Sequence, residues 1–340
     1  MDKQLLSPEE QLLATAAVAA RQWGLTLTPD CITHNTGVDA RTVRYTVVVC
    51  PTLQLATLGA ALQRLARFDG EKALLVADYV GPALADELKA RDIAFVDTVG
   101  NAYLADGPLL IWVKGQKRPA KPAAIAMGRA FQPTGLQVVF ALLCNPDAIN
   151  RPYRELAAMA GVAHGTVGWV IPDLQQQGFV GDLNGKRGTR RLFQHERLLN
   201  QWVDAYARVL RPRLLLGRYF APTLEGWQNW PLPDRAAWGG EPAAALLTQH
   251  LRPGELTLYA AQVPALLAAR QQWLKVPDVA HPAVVDVRYR FWRFPDDSAN
   301  LERVPPLLVY ADLLATGDAR CLETAQLIHD THLTELFTAR

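Results

Sequence analysis

The chain has 340 residues, of which half are hydrophobic and a fifth are charged, and its formal net charge is +2. This is the composition of a globular protein with enough material for two or three domains. No apolar run is long enough to span a membrane, and the N-terminus, MDKQLLSPEE, is polar where a signal peptide would be basic and then apolar. We therefore predict a cytoplasmic protein with no membrane partner.

The cysteines are far apart along the chain and lie mostly in apolar stretches, at Cys31, Cys50, Cys144 and Cys321. This spacing suggests neither a CxxC metal pair nor a disulfide framework. It is typical of a protein from a reducing compartment.

Residues 1–116 predict an α/β domain. Ser7 and Pro8 are typical of a helix start, and the helix is expected to end at Gly24. The later segments predict strands around TVVVC, ALLVADY and IAFVDTV, helices around LATLGAALQRLARF and PALADELKARD, and a hairpin around AYLADGPLLIWVKG. Residues 117–133 follow; their polar, basic and proline-bearing start predicts a linker.

The order helix, strands, helix, strand is typical of the restriction-endonuclease-like fold, whose active members carry a nuclease site. Such a site needs an Asp on one strand and an acid-x-Lys on the next, which together hold a divalent metal ion. Asp97 and Lys114 fit two of these places, but Trp112 occupies the acid position, and Glu71-Lys72 has the wrong spacing. We predict a degenerate domain in which Asp97 binds the turn at Gly100-Asn101.

Residues 134–220 predict a winged helix-turn-helix followed by a further helix. An apolar helix (LQVVFALL) precedes RPYRELAAMAG and VAHGTVGWVIPDLQQQGFV, which form two helices around a tight turn at Gly161. Helical spacing predicts that the second helix buries Leu156, Ala157 and Ala160. The residues of the third helix that are predicted to be buried are Val167, Val170, Ile171 and Leu174.

A basic hairpin is predicted after the third helix. Asn184-Gly185 is a strong signal for a tight hairpin turn. The cations at or after its tip are Lys186, Arg187, Arg190 and Arg191. Residues 116–218 contain fifteen Lys and Arg against six Asp and Glu, a net charge of +9, so basic charge is concentrated in this part of the chain. These cations are expected to reach phosphates.

The third helix itself offers little for reading bases. Its expected outward residues are His164, Gly165, Gly168 and Trp169, none of which pairs bidentately with a base edge. Thr166 is expected to hold a phosphate. We therefore expect phosphate contacts to supply most of the affinity, with specificity coming from elsewhere or from DNA shape.

Residues 221–340 predict an α+β domain, and the sequence does not indicate its activity. A connector rich in Pro and Trp is expected to be packed by its aromatic side chains, and two closing helices are expected to be split at Thr316-Gly317-Asp318. His329 and His332 have the spacing of a metal pair on a helix, but no third ligand is placed by the sequence. Phosphate-loop, dinucleotide-binding and GxSxG motifs do not occur in the sequence. We predict no enzyme activity, no metal and no cofactor.

Several blocks of the chain resemble the AbiEi-type antitoxins of type IV toxin-antitoxin systems. They include FVDTVGNAYL, RPYRELAAMAGVAHGTVGWVIPDLQQQGFV, QWVDAYARVLRPRLLLGRY, WGGEPAAALLT and VYADLLATGDARCLETA. The resemblance implies a DNA-binding repressor that controls its own operon and counters a nucleotidyltransferase-like toxin. The DNA-binding residues that it implies are Arg154, His164, Thr166, Lys186, Arg187, Arg190 and Arg191. Other antitoxins of this class carry the winged helix at the N-terminus, whereas an α/β domain comes first here.

The expected partners are double-stranded DNA and a cognate toxin. A nuclease and a protein-binding module remain the alternatives. Repressors commonly bind palindromes as homodimers, but no self-complementary surface can be read from this sequence.

Overall fold

The computed structural model describes residues 8–28, 32–35, 40–43, 45–66, 68, 72–107, 109–117, 128–182, 189–276, 284–295 and 302–334. The protein is a mixed α/β chain that divides into two compact units, Met1–Ile125 and Ala126–Arg340. The predicted domain boundaries at residues 116, 133 and 220 stay predictions.

The first unit is built on a mixed sheet with the strand order β4-β5-β6-β7-β8. Its elements in chain order are α1 (Pro8–Ala20), β1 (Leu25–Leu27), β2 (Ile32–Asn35), β3 (Ala40–Val43), β4 (Thr46–Cys50), α2 (Leu55–Ala66), β5 (Ala73–Ala77), α3 (Pro82–Ala90), β6 (Ala94–Asp97), β7 (Ala102–Asp106) and β8 (Leu109–Val113). Strands β4, β5 and β6 are parallel, β7 and β8 are antiparallel, and β1, β2 and β3 form a separate antiparallel sheet.

Both faces of this sheet are buried. Leu75 and Phe95 pack with Leu58 of α2 and Leu88 of α3, whereas the neighbouring residue Leu74 packs on the opposite face in a cluster that includes residues of α1. A strand that is covered on both sides needs apolar residues at successive positions, which accounts for the continuous run ALLVA in β5.

The second unit contains helices α4 to α7, a mixed sheet and two closing helices. Its elements are α4 (Pro133–Cys144), α5 (Tyr153–Ala160), α6 (His164–Gln176), β9 (Val180–Asp182), β10 (Arg190–Leu192), α7 (His195–Ala205), β11 (Leu215–Phe220), β12 (Ala237–Gly239), α8 (Gly240–Thr248), β13 (Leu256–Ala260), α9 (Ala265–Arg270), β14 (Leu274–Lys275), β15 (Val285–Tyr289), α10 (Pro306–Leu314) and α11 (Ala319–Ile328). The sheet order is β12-β13-β15-β11-β14, in which β13 and β15 are parallel and the other neighbours are antiparallel.

The expected split between the two closing helices is confirmed. Helix α10 ends at Leu314, and Asp318 caps α11 by accepting hydrogen bonds from the backbone N–H groups of Arg320 and Cys321. The connector before β12 is also packed by its aromatic residues as expected, since Trp227 and Trp230 are buried against Trp238 with ring-centre distances of 5.4 and 6.2 Å.

An aromatic cluster joins the helices of the second unit to its C-terminal sheet. The ring of Phe140 on α4 lies 5.4 Å from Trp202 on α7, 5.1 Å from Phe291, and 5.7 Å from both Trp292 and Phe294. The indole of Trp202 also donates a hydrogen bond of 2.8 Å to the carbonyl of Leu136. Because Phe140 of α4 contacts both Trp202 of α7 and the aromatic residues that follow β15, these helices and the sheet share one core.

A buried polar network lies beside this cluster. Asp312 on α10 accepts hydrogen bonds from the hydroxyls of Tyr206 and Tyr259, and its carboxylate pairs with Arg211 at 3.1 Å. Burial, and then the negative charge of Asp312, raise the pKa of both tyrosines, which therefore stay neutral donors. Burial, the largest single influence, disfavours the Arg211 charge, but the interactions with Asp312, Tyr206 and Tyr259 together exceed it and raise the Arg211 pKa.

The turn between α5 and α6 depends on a glycine, as the sequence predicted. Gly161 has φ of +69°, in the left-handed region, and its N–H closes α5. A Cβ atom at this position would lie 2.2 Å from the carbonyl oxygen of Phe291. The neighbouring hydrogen bond from Arg293 N–H to the Met159 carbonyl, at 2.8 Å, holds the two segments together.

Gly161→Ala is expected to lower the free energy of unfolding by at least about 1 kcal/mol, because the methyl group meets both an unfavourable φ and a backbone carbonyl. Gly168→Ala is the matched control. Gly168 lies within α6 and a Cβ atom there meets nothing within 4 Å, so alanine should raise stability by about 0.5–1 kcal/mol. Urea unfolding measures the free energy of unfolding of both variants. Changes of the same sign in the two variants would contradict this account.

Candidate nucleic-acid interface

Helices α4, α5 and α6 are followed by an antiparallel pair of strands. Arg190 of β10 lies opposite Asp182 of β9, and Leu192 lies opposite Val180. Residues 183–188 lie outside the described part of the chain, so the predicted Asn184-Gly185 turn and the cations Lys186 and Arg187 are not placed.

Strand β10 is attached to the start of α5. The side chain of Asn150 donates to the Arg190 carbonyl at 2.9 Å and accepts from the Arg190 N–H at 2.8 Å. It thus bonds both backbone groups of Arg190, as a neighbouring strand would. The guanidinium of Arg190 donates to the Tyr153 hydroxyl at 3.1 Å and lies 5.3 Å from the centre of that ring. Arg190 is therefore half-buried and oriented beside the first turn of α5.

The next arginine has a different environment. Side chains alternate between the two faces of a strand, so Arg191 points away from the face that Arg190 shares with the buried Leu192. Arg191 is exposed, as is Arg154 in the first turn of α5. Pro152 precedes α5 without a side-chain cap, so the positive end of this helix lies next to Arg154 and to the anchored Arg190.

Helix α6 has the buried and outward faces that the sequence predicted. The residues that it buries are Val167, Val170, Ile171 and Leu174. The expected outward residues, His164, Gly165, Gly168 and Trp169, are all exposed, and Thr166 is half-buried. Pro172 is exposed and the helix continues past it to Gln176. Sequence analysis missed Gln175 and Gln176, which are exposed in the last turn. Their polar side chains and their positions on the helix could have identified them as outward residues.

The structure also places a cation that sequence analysis did not single out. The guanidinium of Arg129 lies 4.2 Å from the centre of the Trp169 ring on the outward face of α6. Forty residues separate the two positions, and no periodicity links them in the sequence.

Asp97 performs the structural role that was predicted for it. It is fully buried, and its carboxylate accepts hydrogen bonds from the backbone N–H groups of Val80, Val99 and Asn101 and from the Asn101 amide. The Lys114 ammonium instead pairs with Asp86 at 2.6 Å. The structure therefore does not show a nuclease pair of Asp97 with Lys114.

The spacing of His329 and His332 had suggested a metal pair, but His329 has a partner on the adjacent residue. The Nδ1 atom of His329 lies 3.1 Å from a carboxylate oxygen of Asp330. Within the described ranges, no group of three or more His, Cys, Asp or Glu is arranged to hold a metal ion. No helix in those ranges is long and apolar enough to cross a membrane.

The model of a protein family described as "Transcriptional regulator, AbiEi antitoxin, Type IV TA system" matches residues 191–334. The resemblance to AbiEi-type antitoxins is confirmed. The match to this antitoxin family begins within β10 and continues through α7 and the C-terminal sheet to the end of α11 and the turn after it. No curated protein and no solved structure gives a significant match to the chain.

The AbiEi-type match lies in the part of the chain whose role was least legible from the sequence. It does not extend over α5 and α6, so it does not test the roles of Arg154, His164 and Thr166. Those roles, and the roles of the hairpin cations, stay predictions.

Asp97→Asn is expected to destabilise the first unit, by about 1.5–3 kcal/mol for each lost hydrogen bond to the charged carboxylate. The amide NH₂ of asparagine would face N–H donors where the carboxylate accepts. Thermal unfolding followed by circular dichroism measures the effect. A nuclease predicts something else: a folded Asp97→Asn protein that has lost Mg²⁺- or Mn²⁺-dependent DNA cleavage present in the wild type.

Proposed function

We propose that this protein is a DNA-binding transcriptional regulator that acts as the antitoxin of a type IV toxin-antitoxin system. The family match supports the regulatory and antitoxin role. Helices α4, α5 and α6 with strands β9 and β10 constitute the proposed winged helix-turn-helix, in which α6 enters the major groove and the hairpin is the wing. No enzyme activity is proposed.

The observation that carries the proposal is the attachment of β10 to the first turn of α5. Because Asn150 and Tyr153 fix Arg190 there, a basic strand and the positive end of a helix lie side by side. Both favour a negatively charged group, and a DNA phosphate is such a group. Arg154 and Arg191 are exposed beside this place, and Lys186 and Arg187 follow from the sequence as further wing cations.

The regulator is proposed to bind DNA upstream of its own gene and so to control its own operon. Its partner as an antitoxin is proposed to be a nucleotidyltransferase-like toxin encoded beside it. Expression of the neighbouring gene with and without this protein tests that role directly. Rescue of growth supports the antitoxin, and unrelieved toxicity contradicts it. The mass of the protein–DNA complex in solution tests whether a homodimer binds.

Arg154→Glu and Arg191→Glu are expected to weaken binding to a duplex from upstream of the gene. Each phosphate contact that is lost should cost about eightfold in Kd at 0.1 M salt and reduce the salt slope by about 0.9. The wild-type slope is expected to be about −3.6 if the four wing cations each contact a phosphate. Fluorescence anisotropy between 0.05 and about 0.3 M salt measures both quantities.

Arg252→Glu is the matched control, because Arg252 is exposed but lies in the loop between α8 and β13. It makes the same change in net charge and should have a much smaller effect. Equal losses in all the variants would mean that only net charge matters, and the proposed interface would be wrong.

A protein-binding module is the second candidate, and the uncharged outward face of α6 favours it. That face presents Gly165, Gly168, Trp169 and Pro172, which are as compatible with another protein as with a groove. This candidate predicts no retention of duplex DNA at low salt and stable co-purification with the product of a neighbouring gene.

A further inference from the structure

Arg129, in the turn before α4, and Trp169, on the proposed recognition helix α6, form a pre-organised pair. Trp169 is 61% exposed, and the Arg129 guanidinium lies 4.2 Å from the centre of its ring. Cation–π stacking orients a guanidinium and leaves N–H donors at its edge for a further partner. Arg129 is itself exposed, so such a partner can reach it.

The backbone of Arg129 is fixed by contacts on both sides. The N–H of the next residue, Ala130, donates to the Asp173 carboxylate on α6 at 2.7 Å, and the Gln177 amide donates to the other oxygen of that carboxylate at 3.0 Å. Toward α4, the Arg129 carbonyl lies so close to Gly135 that a Cβ atom there would be only 2.1 Å away. These contacts hold the short turn Arg129–Phe131 against both helices.

The buried ring of Phe131 completes this attachment. It meets the buried Phe179 edge to face, with a ring-centre distance of 6.3 Å. Because the start of the turn is tied to α6 and its end is buried, little ordering of the backbone remains when Arg129 binds a partner.

The rest of the outward face of α6 lacks a cation. His164, Gly165, Gly168 and Pro172 surround Trp169 along the helix, and the glutamines follow only in the last turn. Cβ atoms at Gly165 or Gly168 would meet nothing within 4 Å. The helix backbone is therefore bare at these positions and can approach a groove closely, with Arg129 beside it.

We propose that Arg129, held by Trp169, is the residue that reads a guanine in the major groove. A guanidinium pairs bidentately with the O6 and N7 acceptors of guanine, which is the commonest specific contact in protein–DNA complexes. Trp169 acts as a positioning residue and Arg129 as the specificity-determining one. This inference rests on the proposed function, because it requires α6 to enter the groove.

The test compares two duplexes, one from upstream of the gene and a shuffled one of the same composition, by fluorescence anisotropy. Arg129→Ala should weaken binding to the upstream duplex about 5- to 150-fold more than binding to the shuffled duplex. Arg129→Lys keeps the charge but not the planar fork, so it should lose the same discrimination. Trp169→Ala should lose discrimination as well. Arg191→Ala, the phosphate control, should weaken both duplexes equally.

A second probe tests the chemistry of the contact. The upstream duplex is synthesised with 7-deazaguanine in place of guanine, which removes the N7 acceptor. Wild-type protein should then bind it severalfold more weakly, and the Arg129→Ala protein should show a clearly smaller additional loss. Equal losses for wild type and variant would overturn the guanine contact.

The outcomes separate this inference from the proposed function. If the wild type retains neither duplex, the DNA-binding function is wrong and the inference falls with it. If the wild type discriminates between the duplexes and Arg129→Ala does not change the discrimination, only the inference is overturned. An equal loss on both duplexes with a salt slope reduced by about 0.9 would make Arg129 a phosphate contact, which also overturns it. Because the side chains of Arg129, Trp169 and Arg191 are all exposed, unchanged unfolding curves are expected for all four variants.

Discussion

Burial of α4 is the constraint on which the second unit depends. This helix buries every residue from Val138 to Leu143 as well as Gly135 and Leu136. A helix that is buried all round must have neighbours on all its sides. Here they include α5, α6 and α7, and through Phe140 the aromatic residues that follow β15. Displacement of α4 would therefore disturb the proposed DNA-binding helices and the C-terminal sheet together.

The buried polar network around Asp312 fixes the relative positions of the elements that surround this apolar core. A buried carboxylate is costly to desolvate, and Asp312 offsets the cost with three donors: Tyr206 and Arg211, which follow α7, and Tyr259 on β13. Removal of one partner from such a group typically costs about 3–5 kcal/mol, because a charge is then left buried without compensation. The segment that directly follows α7, strand β13 and helix α10 are thereby held in one relative position. The family match over residues 191–334 includes this whole network but leaves out α4, α5 and α6.

Local patterns in the sequence predicted those parts of the structure that depend on interactions between residues close together in the chain. Helical spacing identified the buried faces of α5 and α6, a glycine identified the turn at Gly161, and the position of Asp97 before Gly100-Asn101 identified a carboxylate that binds its own turn. Contacts between distant segments were not accessible in this way. Arg129 meets Trp169, and Asn150 meets Arg190, across stretches of about forty residues that carry no common period. For the same reason the sequence did not predict the strand order of the C-terminal sheet.

Two adjacent arginines show why net charge alone cannot describe the proposed interface. Arg190 is already oriented by Tyr153, so binding a phosphate costs it little additional side-chain entropy. Arg191 is exposed on the other face of the same strand and must be ordered when it binds. Equal charges at neighbouring positions should thus contribute differently, with Arg190 fixing the position of the duplex and Arg191 adding attraction that salt screens. On this view the α5–β10 junction sets where the backbone of the DNA lies, and the face of α6 can then remain uncharged because its role is to approach the groove.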